Sequence, residues 1–294
     1  MRQIVTQLCF NDQAEEAVTF YTSLFDNSEV TRTMHYPMPQ GDAIAIDFTL
    51  ENQAFSAING GPYMKMNASF SLMVALDTAD EVDALYAKLA EGGTDMMPLG
   101  EYPFSPRYAW VTDRFGVSWQ LMLANNIPAN HKIRVSLLFA GQYCGQTQAA
   151  LDHYAAIFPT ASIGHVNDYQ EGEASDDRAK INYAELTIDD QQLVLMDHGY
   201  GGTEEFSDAT SFLIVAGTQS EVDYYWEKLS ANPDAEAWGW LQDAHGIAWQ
   251  IVPQGYYQIM ETAKEDQKKR VLDAMFKMKK LDIAKLENAK FDIG

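Results

Sequence analysis

Apolar residues recur along the chain at two different spacings. Ala17, Tyr21 and Phe25 stand four apart, and Val82, Leu85 and Leu89 stand three and four apart, which predicts amphipathic helices. Between these lie apolar, partly alternating runs, Ala43 to Leu50, Ala54 to Ile58, Ala179 to Ile188 and Leu193 to Met196, that read as strands. Glu51-Asn52-Gln53 and Asp189-Asp190-Gln191 carry the turn residues expected between adjacent strands.

The pattern repeats. Gln13, Ala17, Tyr21 and Phe25 return as Gln146, Ala150, Tyr154 and Phe158, displaced by 133, and Glu81-Val82-Asp83 returns as Glu221-Val222-Asp223, displaced by 140. The clearest match sets Trp110, Asp113, Gly116, Trp119 and Gln120 against Trp240, Asp243, Gly246, Trp249 and Gln250, displaced by 130 throughout. Asp-x-x-Gly between two aromatic and β-branched runs reads as a hairpin turn, in which glycine supplies a positive φ. Each copy therefore reads strand, helix, three strands, twice over. The expected domains are residues 1–124 and 131–253, with Asn125 to Asn130 as linker, and 254–294 form a mostly helical tail with Leu272, Met275 and Met278 on one stripe. Before Trp238 the second copy lacks the segment Tyr102 to Tyr108 of the first, at what would be a cleft lid.

Composition narrows the function classes. Forty-two acidic against 20 basic residues give a net charge of -22, which repels phosphate backbones and anionic lipid surfaces, so neither nucleic acid nor a membrane is the expected partner. Nine of the basic residues fall between Lys264 and Lys290. Docking of the tail on its own domain is the favoured reading, and docking on an acidic partner subunit, as in a homodimer, is the alternative. No secretory signal or apolar run of membrane length is present, which reads as a cytoplasmic chain. Cys9 and Cys144 are the only cysteines, too few for a disulfide framework or a cysteine zinc cluster, and Cys9 reads as a small buried hydrophobe.

The stretches Phe55-Ser56-Ala57-Ile58-Asn59-Gly60-Gly61-Pro62 and Asp113-Arg114-Phe115-Gly116-Val117-Ser118-Trp119-Gln120 resemble the PhnB-like family, also labelled 3-demethylubiquinone-9 3-methyltransferase-like, of the vicinal oxygen chelate (glyoxalase/bleomycin resistance/dioxygenase) superfamily. The tail from Ala274 to Leu286 is similar to the end of many such proteins. The resemblance implies an α+β fold of tandem domains, each of two βαβββ units that form an incomplete barrel around a cleft where related enzymes hold a divalent metal.

Metal-using relatives draw His, Glu or Gln from four strands of a domain. Alignment places those positions at Thr6, Ala57, Ser71 and Gln120 in the first domain and Val135, Leu195, Ser211 and Gln250 in the second. A divalent site needs about three ligands with the basicity of imidazole or carboxylate, which one glutamine does not supply. A register slip would bring in Asn59 or Asp197, and a larger one Asp47, His35, Glu185 or His198. His165 is a further histidine outside the expected positions. The candidates for contact with a small molecule in the clefts are Gln7, Asn59, Trp110, Gln120, Asp197, Trp240 and Gln250, with no catalytic residue assigned, no metal and no cofactor expected. Asp113 and Asp243 read as turn formers, and Trp119 and Trp249 as core or cleft wall. Neither Asn59-Gly60-Gly61-Pro62 nor Gly199-Tyr200-Gly201-Gly202 opens a clear helix, which speaks against a common methyltransferase cofactor loop. Three readings stay open. A metal-free protein binding a small, partly apolar molecule is favoured over a metal-dependent glyoxalase, dioxygenase or thiol transferase, and over one structural copy.

Overall fold

A computed structural model describes residues 4–36, 43–124 and 132–291, so the expected linker Asn125 to Asn130 lies outside the described residues. The chain divides into two compact units, residues 7–210 and residues 211–294 with the first six.

In the larger unit the predicted helices form where the apolar spacing places them. Helix α1, Ala14–Leu24, buries Ala14, Ala17, Val18 and Tyr21. Helices α2, Ala79–Leu89, and α3, Thr147–Ile157, repeat that pattern. Thr78 opens α2 with a capping box: its side chain accepts from the Glu81 N–H at 3.2 Å, and the Glu81 carboxylate accepts from the Thr78 N–H at 3.0 Å. Strands β3, Ala43–Leu50, and β4, Gln53–Asn59, pair antiparallel around Glu51 and Asn52, both at positive φ. That is the two-residue turn whose twist suits a hairpin.

The main feature is an eight-stranded mixed sheet in the order β10, Ser162–Asp168; β11, Ile181–Ile188; β12, Gln191–Asp197; β9, Ile133–Phe139; β5, Phe70–Leu76; β8, Ser118–Leu123; β7, Ser105–Thr112; and β6, Thr94–Tyr102. One βαβββ module contributes β5 to β8 with α2, and another contributes β9 to β12 with α3. The sheet is thus two modules, and they come from different sequence repeats. They meet at the antiparallel seam of β5 and β9, where Ser71 lies opposite Ser136. The sheet is open, since β10 and β6 are its edges.

Helices α2 and α3 cover one face. Under them lie Leu72, Val74, Trp119, Leu121, Val135, Leu137, Leu193 and Leu195, each at most 1% exposed. Because side chains alternate, the other face carries Ser71, Met73, Gln120, Arg134 and Ser136.

The smaller unit holds β13, Thr210–Ala216; α4, Gln219–Leu229; β14, Trp240–Gln242; β15, Ala248–Pro253; and the tail helices α5, Gln254–Thr262; α6, Glu265–Met275; and α7, Ile283–Phe291. Here α4 is followed by two strands instead of three. A 3-10 turn at Pro233–Ala235 stands where the first copy builds β6, in keeping with the segment missing before Trp238. The tail docks on its own unit. Trp238 and Gly239 donate backbone N–H groups to Met278 and Lys279 carbonyls at 2.9 and 2.8 Å. The tail's basic residues largely meet local acids, as Lys279 does Glu236 at 3.2 Å and Arg270 does Asp266 at 3.0 Å. Leu272 is buried, while Met275 and Met278 are half-buried.

Candidate functional site

The centre of the helix-free face of the eight-stranded sheet is built around Gln120. Its Nε2 donates to Ser71 Oγ at 2.8 Å and to Ser136 Oγ at 3.4 Å, and its Oε1 accepts from Tyr108 Oη at 2.8 Å. Tyr108 is buried, and burial pushes its phenol well above the usual range, so it stays protonated and donating. Trp110 stands opposite Gln120 on β7 and donates its indole N–H to Ser118 Oγ at 2.7 Å. Next to this cluster Arg134 reaches across to β11, where its Nη1 donates to Tyr183 Oη at 2.7 Å. Tyr183 donates in turn to Glu185 Oε1 at 2.8 Å, and burial raises its pKa to about 12. The rim is half-buried and mixed: Trp110, Met122, Leu138 and Met196 with Tyr183, Glu185 and Gln192.

The other candidates fall elsewhere. Asn59 Oδ1 accepts the N–H of Ala14 at 2.9 Å and so caps α1. Asp197, 1% exposed, does the same for α3: its Oδ1 accepts from Thr147 N at 3.2 Å, Thr147 Oγ1 at 2.7 Å and Gly145 N at 2.9 Å, and its Oδ2 from Lys180 N and Ile181 N. Both are helix-terminus acceptors satisfying backbone N–H groups. Gln7 donates to Ser56 Oγ at 3.3 Å, beside Asp47 with its Arg32 partner at 2.6 Å. Gln250 donates to Ser211 Oγ at 2.9 Å, with Trp240 opposite it on β14.

Several expected inward positions lie on the other side of their strands. Thr6, Ala57, Val135 and Leu195 are fully buried among core side chains, so the register of β1, Ile4–Phe10, and of β4, β9 and β12 is shifted by one from the alignment. A shift of one exchanges the two faces of a strand. On β9 the helix-free face shows Arg134 and Ser136, which sequence reasoning missed. The available signal was the one charge inside the apolar run Ile133-Arg134-Val135-Ser136-Leu137-Leu138-Phe139.

Asp113 and Asp243 are turn formers. Asp113 Oδ1 accepts from Phe115 N and Val117 N, and its Oδ2 from Trp119 Nε1 at 2.9 Å and Tyr21 Oη at 2.7 Å. Asp243 accepts likewise from His245 N, Ile247 N and Trp249 Nε1. Of the histidines, His198 Nδ1 accepts two backbone N–H groups of its own loop, and His35 and His165 are exposed on edge strands. Burial, with the neighbouring Asp208 charge, pushes the Cys9 thiol up to about 12, far from a reactive thiolate.

The polar groups at the centre of this face are an amide and hydroxyls. Among the described residues no three His, Cys, Asp or Glu side chains converge where an ion could sit. The Gln120 carbonyl at the centre already accepts from Tyr108. A hollow of about 610 Å³ opens in the β10–β11 connection, lined by Asp168, Tyr169, Asp176 and Lys180 among others. None of the Gln120 cluster lines it.

Comparisons with known proteins place this architecture. A chain from Bacillus cereus described as a PhnB protein is 40% identical over 41% of this chain and 98% of its own, with a TM-score of 0.39. Protein PA1353 from Pseudomonas aeruginosa is 26% identical over 40% and 93%, with a TM-score of 0.36. Glyoxalase I from Zea mays covers 88% of this chain and 96% of its own at 12% identity and a TM-score of 0.54, a likeness of fold alone. No curated protein matches the chain significantly. The family model described as 3-demethylubiquinone-9 3-methyltransferase matches residues 2–122 and again 131–252, and on that double match over most of its length the chain belongs to this PhnB-like family of the glyoxalase-type fold.

Proposed function

We propose that the helix-free face of the eight-stranded sheet is the floor of a cleft that binds a small, partly apolar molecule without a metal. The observation behind the reading is the composition of that face. Half-buried Trp110, Met122, Leu138 and Met196 surround a short polar row whose amide and hydroxyls are already hydrogen-bonded to each other. Such a surface offers apolar contact with few orienting polar groups, the usual character of a small-molecule site. A transition-metal centre would need imidazole or carboxylate donors in place of Ser71, Ser136 and the committed Gln120. The methyltransferase name of the family is not carried over. After β4 and β12, Gly60-Gly61 and Gly199 to Gly202 lead into irregular chain instead of opening a helix, so neither forms the phosphate-type loop of a common nucleotide-cofactor fold.

The test is elemental analysis of protein purified without a histidine tag or chelator, with native mass spectrometry of the same sample. A co-purified small molecule, displaced by Trp110→Ala, is the expected result. About one equivalent of zinc, nickel, manganese or iron, lost in Gln120→Ala, overturns the reading.

A further inference from the structure

We infer that Arg134 is an anion anchor, so that the molecule held on this face carries a carboxylate or similar planar anionic head; the inference rests on the cleft reading above. Arg134 projects from β9 between Met73 of β5 and the strands of the second module, and it is only 4% exposed. A guanidinium stays charged in proteins and carries five N–H donors in a fixed fork. Here those donors meet few acceptors. Nη1 donates to Tyr183 Oη at 2.7 Å. Nη2 faces the thioether sulfurs of Met73 at 3.4 Å and Met122 at 3.6 Å, which are weak acceptors. Nε is buried with no hydrogen-bond partner.

The nearest carboxylate does not complete the fork. Glu185 Oε1 lies 3.7 Å from Nη1, an ion pair without a hydrogen bond. Its oxygens serve other donors, Oε1 the Tyr183 hydroxyl at 2.8 Å and Oε2 the His165 N–H at 3.4 Å. A buried, charged group with donors to spare favours a ligand that brings acceptor oxygens and negative charge together, and a planar anion can take two N–H groups of the fork at once. Met122 lies on the half-buried rim beside the fork, and Trp110 and Leu138 offer contact to an apolar body.

The full chain is titrated by calorimetry with benzoate and hexanoate, and in parallel with benzamide and hexanamide, which match them in shape without the charge. The acids are expected to bind at least about tenfold more tightly than the amides, the usual worth of a charge-assisted hydrogen bond. Arg134→Met is expected to erase that preference. Because it also removes a buried side chain, Glu185→Gln serves as the second variant: loss of a like charge raises the preference for acid over the matching amide by about threefold or more. Acids and amides binding equally overturns the anion anchor and leaves the cleft reading standing. Binding of none of the four, on protein shown free of co-purified ligand, overturns both.

Discussion

Gln120 and Gln250 hold the same place in the two repeats, and each donates to a serine on the neighbouring parallel strand, Ser71 at 2.8 Å and Ser211 at 2.9 Å. Their surroundings have diverged. Beside Gln120 stands the buried Tyr108, delivered by β7 and the long hairpin it forms with β6. The residue 130 positions on is Trp238, which is 47% exposed, donates its indole N–H to the Phe276 carbonyl at 2.9 Å and packs on the Phe276 ring at 5.2 Å. The cause lies upstream. Where β6 would run, the second copy makes a short 3-10 turn, and the tail supplies backbone partners to Trp238 and Gly239. What duplication has kept is the Asp-x-x-Gly hairpin and its Trp and Gln. What lines the face beside the Gln is decided by hairpin length and by what covers the free edge.

Replacing the two core tryptophans tests the part held in common. Trp119 and Trp249 are both fully buried, and each donates its indole N–H to the turn aspartate six residues earlier. Trp119→Ala and Trp249→Ala are each expected to cost about 3–5 kcal/mol in urea unfolding. A large cost at one and almost none at the other would break the equivalence of the two hairpins.

The tail tests the part that differs. Making both Leu272 and Met275 into Asp places charge on the buried stripe of α6 and is expected to cost about 2–4 kcal/mol, read as a lower melting temperature with a Trp238 fluorescence change. An unchanged melting temperature and unchanged mass by light scattering would remove the claim that the tail docks on the second copy. A smaller contrast sits at the cleft wall itself. Tyr108→Phe removes a buried hydrogen bond to Gln120, worth about 1 kcal/mol, whereas Trp238→Phe alters an exposed contact and is expected to stay within about 0.5 kcal/mol. Equal effects would mean that Trp238 also supports its glutamine.

Much of this contrast was legible in the sequence. Helix spacing, the Asp-x-x-Gly turns and the segment missing before Trp238 each follow from local chemistry. The orientation of strands did not follow. In β9 six of seven residues are buried, so alternation no longer distinguishes the helix side from the open side, and the sequence pattern puts Val135 where Ser136 stands. Asn59 and Asp197 look like cleft residues because each is a polar side chain ending an apolar strand, yet the N–H groups that open α1 and α3 claim them. Arg134, Tyr183 and Glu185 meet only because β9, β12 and β11 are neighbours, a pairing between distant segments that no short-range pattern reports. The same holds for the joining of modules from different repeats at the β5–β9 seam.

The smallest expected effect concerns the charge state of the first turn. Asp113 is 4% exposed, and burial raises its pKa above the usual 3.8 against the pull of hydrogen bonds from Tyr21, Trp119 and the Phe115 and Val117 N–H groups. A raised carboxyl pKa means that the folded chain holds the proton more readily than the unfolded chain. The stability linked to that proton is fully present below about pH 3.8 and is lost as pH rises through the folded-state value. Asp113→Asn cannot titrate and loses one acceptor's charge at every pH, so it sets a constant offset. The difference in melting temperature between the native chain and the variant should therefore move in favour of the native chain as pH falls from 7 towards 4. Many other carboxylates titrate in the same range, but they do so in both proteins and cancel in the difference. A difference that moves the other way would mean that the four hydrogen bonds outweigh burial and that Asp113 is held as a stabilised anion.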